Sequence, residues 1–392
     1  MRFPEFSGEW KSNELHKVAS LSKGTGISKD QLSDSGHPCI LYGELYTKYK
    51  SEIIREVYSK TQLDVANLVN SHTNDVIIPC SGEAAIEIAT ARCVLIPEIL
   101  LGGDLNIIRL NGYHDGGFFA YQLNGKRKVD IAKVAQGVSV VHLYGEHLKK
   151  VKVSYPSLKE QQKISSFLAL LDERIATQIK IIEDLKKLKS AIGNKLFARK
   201  DLLEKQITIS EIGTLKNGYA FQSSTYNPAG SYKIITIANV SGERYIDIDS
   251  CNCIMRIPED IQTHQVLKQD DILISLTGNV GRVSLCTEGN YLLNQRVGLL
   301  QLKPGVNREY IYQALSCRRY EQTMISCGQG AAQMNIGKGD VEYYTIPYSA
   351  NSLNLEVVAS TLKTYDLLIS VEVDRLRLFM QQKQYLLAQM FI

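Results

Sequence analysis

The chain has 392 residues, 44% hydrophobic and 22% charged, a composition that fits two or three globular domains and excludes a disordered or fibrous chain. Forty-five basic against 41 acidic residues leave a formal net charge of only +4, too mild to grip nucleic acid by charge alone, so such a role rests on local patches. No apolar run approaches the roughly 20 residues of a membrane helix, the first residues lack the apolar stretch of a secretory leader, and the eight cysteines include no CxxC pair; the chain reads as cytoplasmic, with reduced thiols.

Short β-like runs open the chain, at 75–79, 92–96 and 105–110, with a short helix near 118–124. A long helical segment follows, with apolar positions at Ile164, Leu168, Leu171, Ile175, Ile182, Leu185, Ile192 and Leu196. These steps of three and four make a 3.5-residue seam, interrupted at Gln178 and Lys189. Further β-like runs lie at 233–240, 271–276, 282–286 and 296–302, with a short helix near 309–317. The last segment repeats the seam as Val358, Leu362, Tyr365, Ile369, Leu376, Phe379, Leu386 and Met390, interrupted at Glu372 and Lys383.

The two halves are therefore an internal repeat, at a spacing near 194 residues (Gly24 to Gly218, Gly36 to Gly230). Asp75–Gly82 matches Asp271–Gly278, and Tyr121-Gln122 matches Tyr312-Gln313. The expected fold is α+β: two pseudo-repeated α/β domains, 1–155 and 201–350, separated by helices at 156–200 and 351–392. A helix of residues 160–197 would span ~57 Å at 1.5 Å per residue. The connection after it is too short to return along that length. The second helix must therefore run back antiparallel, as a two-helix coiled coil, giving a dumbbell with a pseudo-twofold axis across the rod.

Catalytic signatures are scarce. Gly330–Gly339 resembles a phosphate loop, but Walker A would need glycine at Ala332 and Ser or Thr at Gly339. No Pro-Pro occurs, which argues against an amino-methyltransferase centre, and no HxH, HExxH or Gly-x-Ser-x-Gly pattern is present. Neither a catalytic nor a metal-ligating set is expected. Glycine-rich polar loops recur at matching places instead: Ser81 to Ala85, with Glu83, against Thr277 to Arg282, with Asn279; and Gln136 to Ser139 against Gly328 to Asn335, with Gln329 and Gln333. Glycine lets backbone approach a ligand closely, and Asn, Gln and Arg side chains can bond base edges bidentately. Ordinary β-turn chemistry explains such loops equally well. Lys126, Arg127 and Lys128 form a basic cluster, which reads as a phosphate contact or as a solvated face. On the residues alone, a DNA-reading protein and a duplicated coiled-coil scaffold without DNA readout both stand.

The stretch Pro156-Ser-Leu-Lys-Glu-Gln-Gln-Lys-Ile-Ser-Ser-Phe-Leu-Ala-Leu-Leu-Asp-Glu-Arg-Ile175, followed by 182–189, resembles the central spacer helix of type I restriction-modification specificity subunits. The opening 2–10, Leu101-Gly-Gly-Asp-Leu-Asn106, 135–144, Asn294-Gln295-Arg296-Val297 and 328–336 are similar to the same family. The resemblance implies two target recognition domains, each reading half of a bipartite double-stranded DNA site, with the helices setting the gap. It implies two methyltransferase subunits as partners, joined for cleavage by restriction/translocase subunits. S-adenosylmethionine, ATP and Mg would be bound by those partners, with no cofactor on this chain. Glu160, Gln161, Gln162, Phe167, Leu171, Leu362 and Tyr365 are the implied docking residues. The second helix departs from the first, with Asn354-Leu-Glu356 where Glu160-Gln161-Gln162 stands.

Overall fold

A computed structural model describes residues 1–328 and 334–391. The chain forms two compact units, one of Met1–Lys180 with the chain from Asp374 onward, the other of Ile181–Val373. Two long helices, Leu158–Phe197 and Ser352–Gln389, each contribute one part to either unit. Among the described residues, no helix is long and apolar enough to cross a membrane.

The first unit is built on a five-stranded sheet in the order Ala19–Lys23, Leu105–Leu110, Asp75–Pro79, Arg92–Val94, Ile53–Ile54, antiparallel except for its last pair. Its central strand is buried throughout, and apolar from Val76 to Pro79, because both faces are covered. Val76 and Ile78 pack with Phe118, Tyr121 and the opening turns of the first long helix, whereas Ile77 packs with Ile40 and Leu101 of a second small sheet. The second unit repeats the plan in the order Gly213–Asn217, Val297–Leu302, Ile272–Ser275, Val283–Leu285. There Ile272 and Ile274 face the helices, and Leu273 faces the other way.

The repeat extends to single hydrogen bonds. The backbone NH of His72 donates to Asp75 and that of Lys268 to Asp271, each at 2.8 Å, so one aspartate starts the equivalent strand in both units. Asp115 caps the helix Gly116–Asn124 through the NH of Phe118, and Asn307 caps Arg308–Leu315 through the NH of Tyr310. A Cβ at Gly24 would strike the carbonyl oxygen of Gly102, and one at Gly218 the carbonyl of Asn294. In both units glycine at this position lets two backbone segments cross.

Two of the seam's polar interruptions, Lys189 and Lys383, make charged contacts. In the first unit Lys383 reaches Asp172 of the facing helix at 2.6 Å and Glu52 of the globular part at 2.5 Å. Asp172 also accepts from Tyr121 and Ser51, each at 2.8 Å. In the second unit Lys189 reaches Asp366 at 2.6 Å, and Arg244 joins Glu309 to Asp366, with Gln313 donating to both carboxylates. Asp172 and Asp366, like Lys189 and Lys383, are equivalent positions of the repeat. Burial works against the charged form of Glu309, but hydrogen bonds from Arg244 and Gln313 outweigh it and hold the carboxyl below its ordinary range. At Lys383 burial is likewise outweighed, by Glu52 and Asp172, and the ammonium is held above its usual range.

Gly24→Ala and Gly218→Ala are each expected to destabilise by about 1–3 kcal/mol, because backbone must move. Gly112→Ala, where nothing lies within 4 Å of the added carbon, should melt like the parent in thermal denaturation. Because the Glu309 carboxyl is depressed, its stabilisation is present above the ordinary carboxylate value of roughly 4.3 and lost as pH falls through the folded value. The melting temperature should therefore drop more steeply on acidification in the parent than in Glu309→Gln; parallel pH profiles would contradict this.

Candidate nucleic-acid interface

In each unit the loop after the central strand is joined to a second polar segment at one end of the sheet: 136–142 in the first and, among the described residues, 334–336 in the second. In the first, the two-residue strand Ser81–Gly82 pairs antiparallel with Val141–His142. Gln136 exchanges backbone hydrogen bonds with His142 at 2.9 and 2.7 Å, closing a tight loop over 136–142. Gly137 has φ +125°, and an added Cβ would strike the carbonyl oxygen of Val140, so the turn needs glycine. Glu83, Gln136 and Ser139 are exposed. Ser81 is buried, and its hydroxyl donates to Asp104 at 3.2 Å, which makes it part of the loop's foundation.

Lys128 opens the helix Lys128–Val134 and lines a groove of about 740 Å³ with Ser81, Glu83, Tyr42, Tyr46 and Val140. Lys126 is exposed beside it. Arg127 is turned inward, donating to Ser154 at 3.1 Å and pairing with Asp130 at 3.6 Å. Tyr42 and Tyr46 were not singled out from the sequence. Their signal is the i, i+4 spacing of two tyrosines around the short helix Glu44–Thr47. Tyr46 donates to the backbone carbonyl of Ser81 at 3.3 Å and so props the loop.

In the second unit the NH of Gly278 donates to Met334 and the NH of Ile336 to Leu276, each at 2.9 Å, bringing Thr277 against Asn335. The turn between is pinned by Ser275, whose hydroxyl donates to the Asn279 carbonyl and accepts from the Arg282 NH at 3.0 Å. The NH of Leu276 donates to the carbonyl of Arg296 at 3.0 Å, which adds the 294–296 segment to the cluster. Asn279, Gln295, Arg296 and Asn335 are exposed. Asn294 is buried, and its side-chain oxygen accepts from the NH of Arg296 at 3.2 Å. Arg282 is half-buried and pairs with Glu321 at 3.6 Å. Thr277 has its hydroxyl oxygen buried without a hydrogen-bond partner among the described residues. Gln329 and Gln333 lie outside the described residues.

Exposed amide, guanidinium and carboxylate groups on short, hydrogen-bonded loops have the chemistry to bond base edges, with lysine beside them for phosphate. Among the described residues, no three His, Cys, Asp or Glu side chains are grouped to hold a metal.

The docking residues implied by the resemblance divide into two kinds. Glu160 is buried and already bonded: Arg2 forks onto both its oxygens at 2.7 Å, and Trp10 donates at 3.3 Å. Gln161 is fully buried, donating to Pro156 at 2.9 Å and accepting from the NH of Asp115 at 3.0 Å. These two tie the start of the long helix to its own unit. Leu171 and Leu362 are buried in the seam, and Tyr365 is half-buried. Gln162 and Phe167 face solvent, and Phe167 packs edge-on against Phe3.

The family model described as the type I restriction modification DNA specificity domain matches residues 7–187 and again 204–376. No curated protein matches the chain. Among solved structures, the S subunit of a type I restriction-modification system from M. genitalium superposes with TM-score 0.62 at 17% identity, covering 98% of this chain and 96% of that one. A second, described for complex assembly and conformational transition of the type I R-M system, gives TM-score 0.56 at 15% identity, covering 96% of each chain. At these identities the likeness concerns the fold.

Gln161→Ala is expected to cost about 1–3 kcal/mol, because it leaves buried backbone groups unpaired. Gln162→Ala and Asn335→Ala should stay within about 0.5 kcal/mol of the parent. Chemical denaturation checks all three; equal losses at Gln161 and Gln162 would contradict the division drawn above.

Proposed function

Because the chain belongs to the family of the type I restriction modification DNA specificity domain and carries two copies of it, we propose that each copy reads one half of a bipartite DNA site. The observation that carries this reading is the recurrence, in both units, of two polar loops joined by backbone hydrogen bonds and bearing exposed reading groups. Gln136, Ser139 and Glu83 serve the first half-site; Asn279, Arg296 and Asn335 serve the second. Lys126 and Lys128 hold phosphates. The globular domains, 1–155 and 201–350, do the reading, and the helices set the gap between half-sites.

In this reading the chain is a non-catalytic specificity component working in the cytoplasm. Two methyltransferase subunits dock on the helices and bring S-adenosylmethionine; restriction/translocase subunits bring ATP and Mg. A formal charge of +4 suits a reader whose partners complete the grip on the phosphates.

The test is equilibrium binding of the chain, alone and with its methyltransferase subunits, to duplexes carrying the bipartite site. The complex should bind tightly, with affinity falling with salt at a slope of roughly −0.9 per neutralised phosphate, and the isolated chain weakly. Asn279→Ala and Arg296→Ala should each remove about 1–3 kcal/mol of discrimination at the second half-site and none at the first. A scaffold without DNA readout would show neither salt-dependent DNA binding nor this separation.

A further inference from the structure

An antiparallel helix pair with an aliphatic seam can bury similar apolar area in several registers, and a polar seam residue selects one of them at some loss of stability. Lys189 and Lys383 are such residues, and each meets an aspartate of the opposite helix at 2.6 Å. A slip of one heptad would set Lys383 opposite Ser165 or Ile179, and Asp172 opposite Leu376 or Met390. In the second unit the same slip would bring Lys189 to Ala359 or Val373, and Asp366 to Ile182 or Leu196. Every slipped register parts each lysine from its aspartate and sets both against aliphatic or small side chains, leaving Asp172 with only the neutral donors Tyr121 and Ser51, and Asp366 with Arg244 and Gln313. The globular part of each unit is bound into the same contact, since Lys383 also holds Glu52 and Arg244 also holds Asp366.

We propose that Asp172, Lys189, Asp366 and Lys383 are positioning residues that select the register of the helix pair and, through it, the gap tolerated between half-sites. This rests on the bipartite reading above. A heptad is ~10 Å along a helix, the length of about three base pairs, so register and gap share a scale.

The test uses the fact that a buried ion pair can be exchanged for apolar residues without loss of stability, whereas removing one partner is destructive. In the quadruple variant Asp172→Leu, Lys189→Leu, Asp366→Leu and Lys383→Leu, both pairs go together, Arg244 retains Glu309, and Arg92 remains near Glu52. Its complex with the methyltransferase subunits is compared with the parent complex on duplexes whose gap is lengthened or shortened by one to three base pairs. The parent should prefer one gap sharply. The variant should melt cooperatively and keep the same half-site sequences, with gap discrimination reduced by at least about tenfold. A folded variant with undiminished gap discrimination overturns the register role while leaving the bipartite reading intact; a parent indifferent to gap overturns both. Should the quadruple variant not fold, Lys189→Leu with Asp366→Leu alone carries the same two outcomes.

Discussion

An ammonium largely closed into the contact between two helices must be matched by carboxylates held at hydrogen-bond distance, because water solvates it only in part. Lys383 in one unit and Lys189 in the other impose that requirement, and the structure answers it twice with the equivalent aspartate. Around each contact the rest of the unit is arranged. Tyr121 and Gln313, which reach these aspartates, stand on the helices Gly116–Asn124 and Arg308–Leu315, and those helices cover one face of the central sheets. Helix pair, covering helix and sheet are thus one packed body in each unit.

The loops proposed to read DNA hang from this body by backbone hydrogen bonds. Ser81–Gly82 against Val141–His142, and Thr277–Gly278 against Met334–Asn335, extend the ends of central strands whose both faces are buried. Side chains on such mounts would lose little freedom on binding, which suits the proposed discrimination. Their side chains are chemically different in the two units: Glu83, Gln136 and Ser139 in one, Asn279, Arg296 and Asn335 in the other. Two frames built alike with different loop chemistry suit a site whose halves differ in sequence.

Much of this is legible in the chain itself, because the repeat makes each half a check on the other. The seam positions and their interruptions are readable from periodicity, and Lys189 and Lys383 stand out as polar residues where apolar ones are due. The facing aspartates are not readable, since Asp172 and Asp366 lie off the seam and look like solvated helix residues until the fold buries them. The strand Lys11–Glu14 is also hidden: its residues are polar and largely exposed, and only its pairing with Lys152–Tyr155 makes it a strand. Two-residue strands such as Ile53–Ile54 and Leu100–Leu101 are too short for any period to show. At the interface the loops are foreseeable from glycine spacing, but the direction of each side chain is not. Ser81, Arg127 and Asn294 belong by composition with the proposed reading groups, yet Ser81 and Asn294 are turned inward to hold their loops, and Arg127 is turned inward onto Ser154 and Asp130. Glu160 and Gln161 are readable as a motif, and burial gives them internal partners.

The central claim is that two domains of one chain read two half-sites. Mapping methylated adenines across the genome, with the gene intact, deleted, or carrying Asn279→Ala with Arg296→Ala, tests it most directly. The account predicts one bipartite motif that vanishes on deletion and, in the variant, keeps its first half while the second half relaxes. A methylation pattern indifferent to the gene, or a variant that alters both halves together, would contradict it.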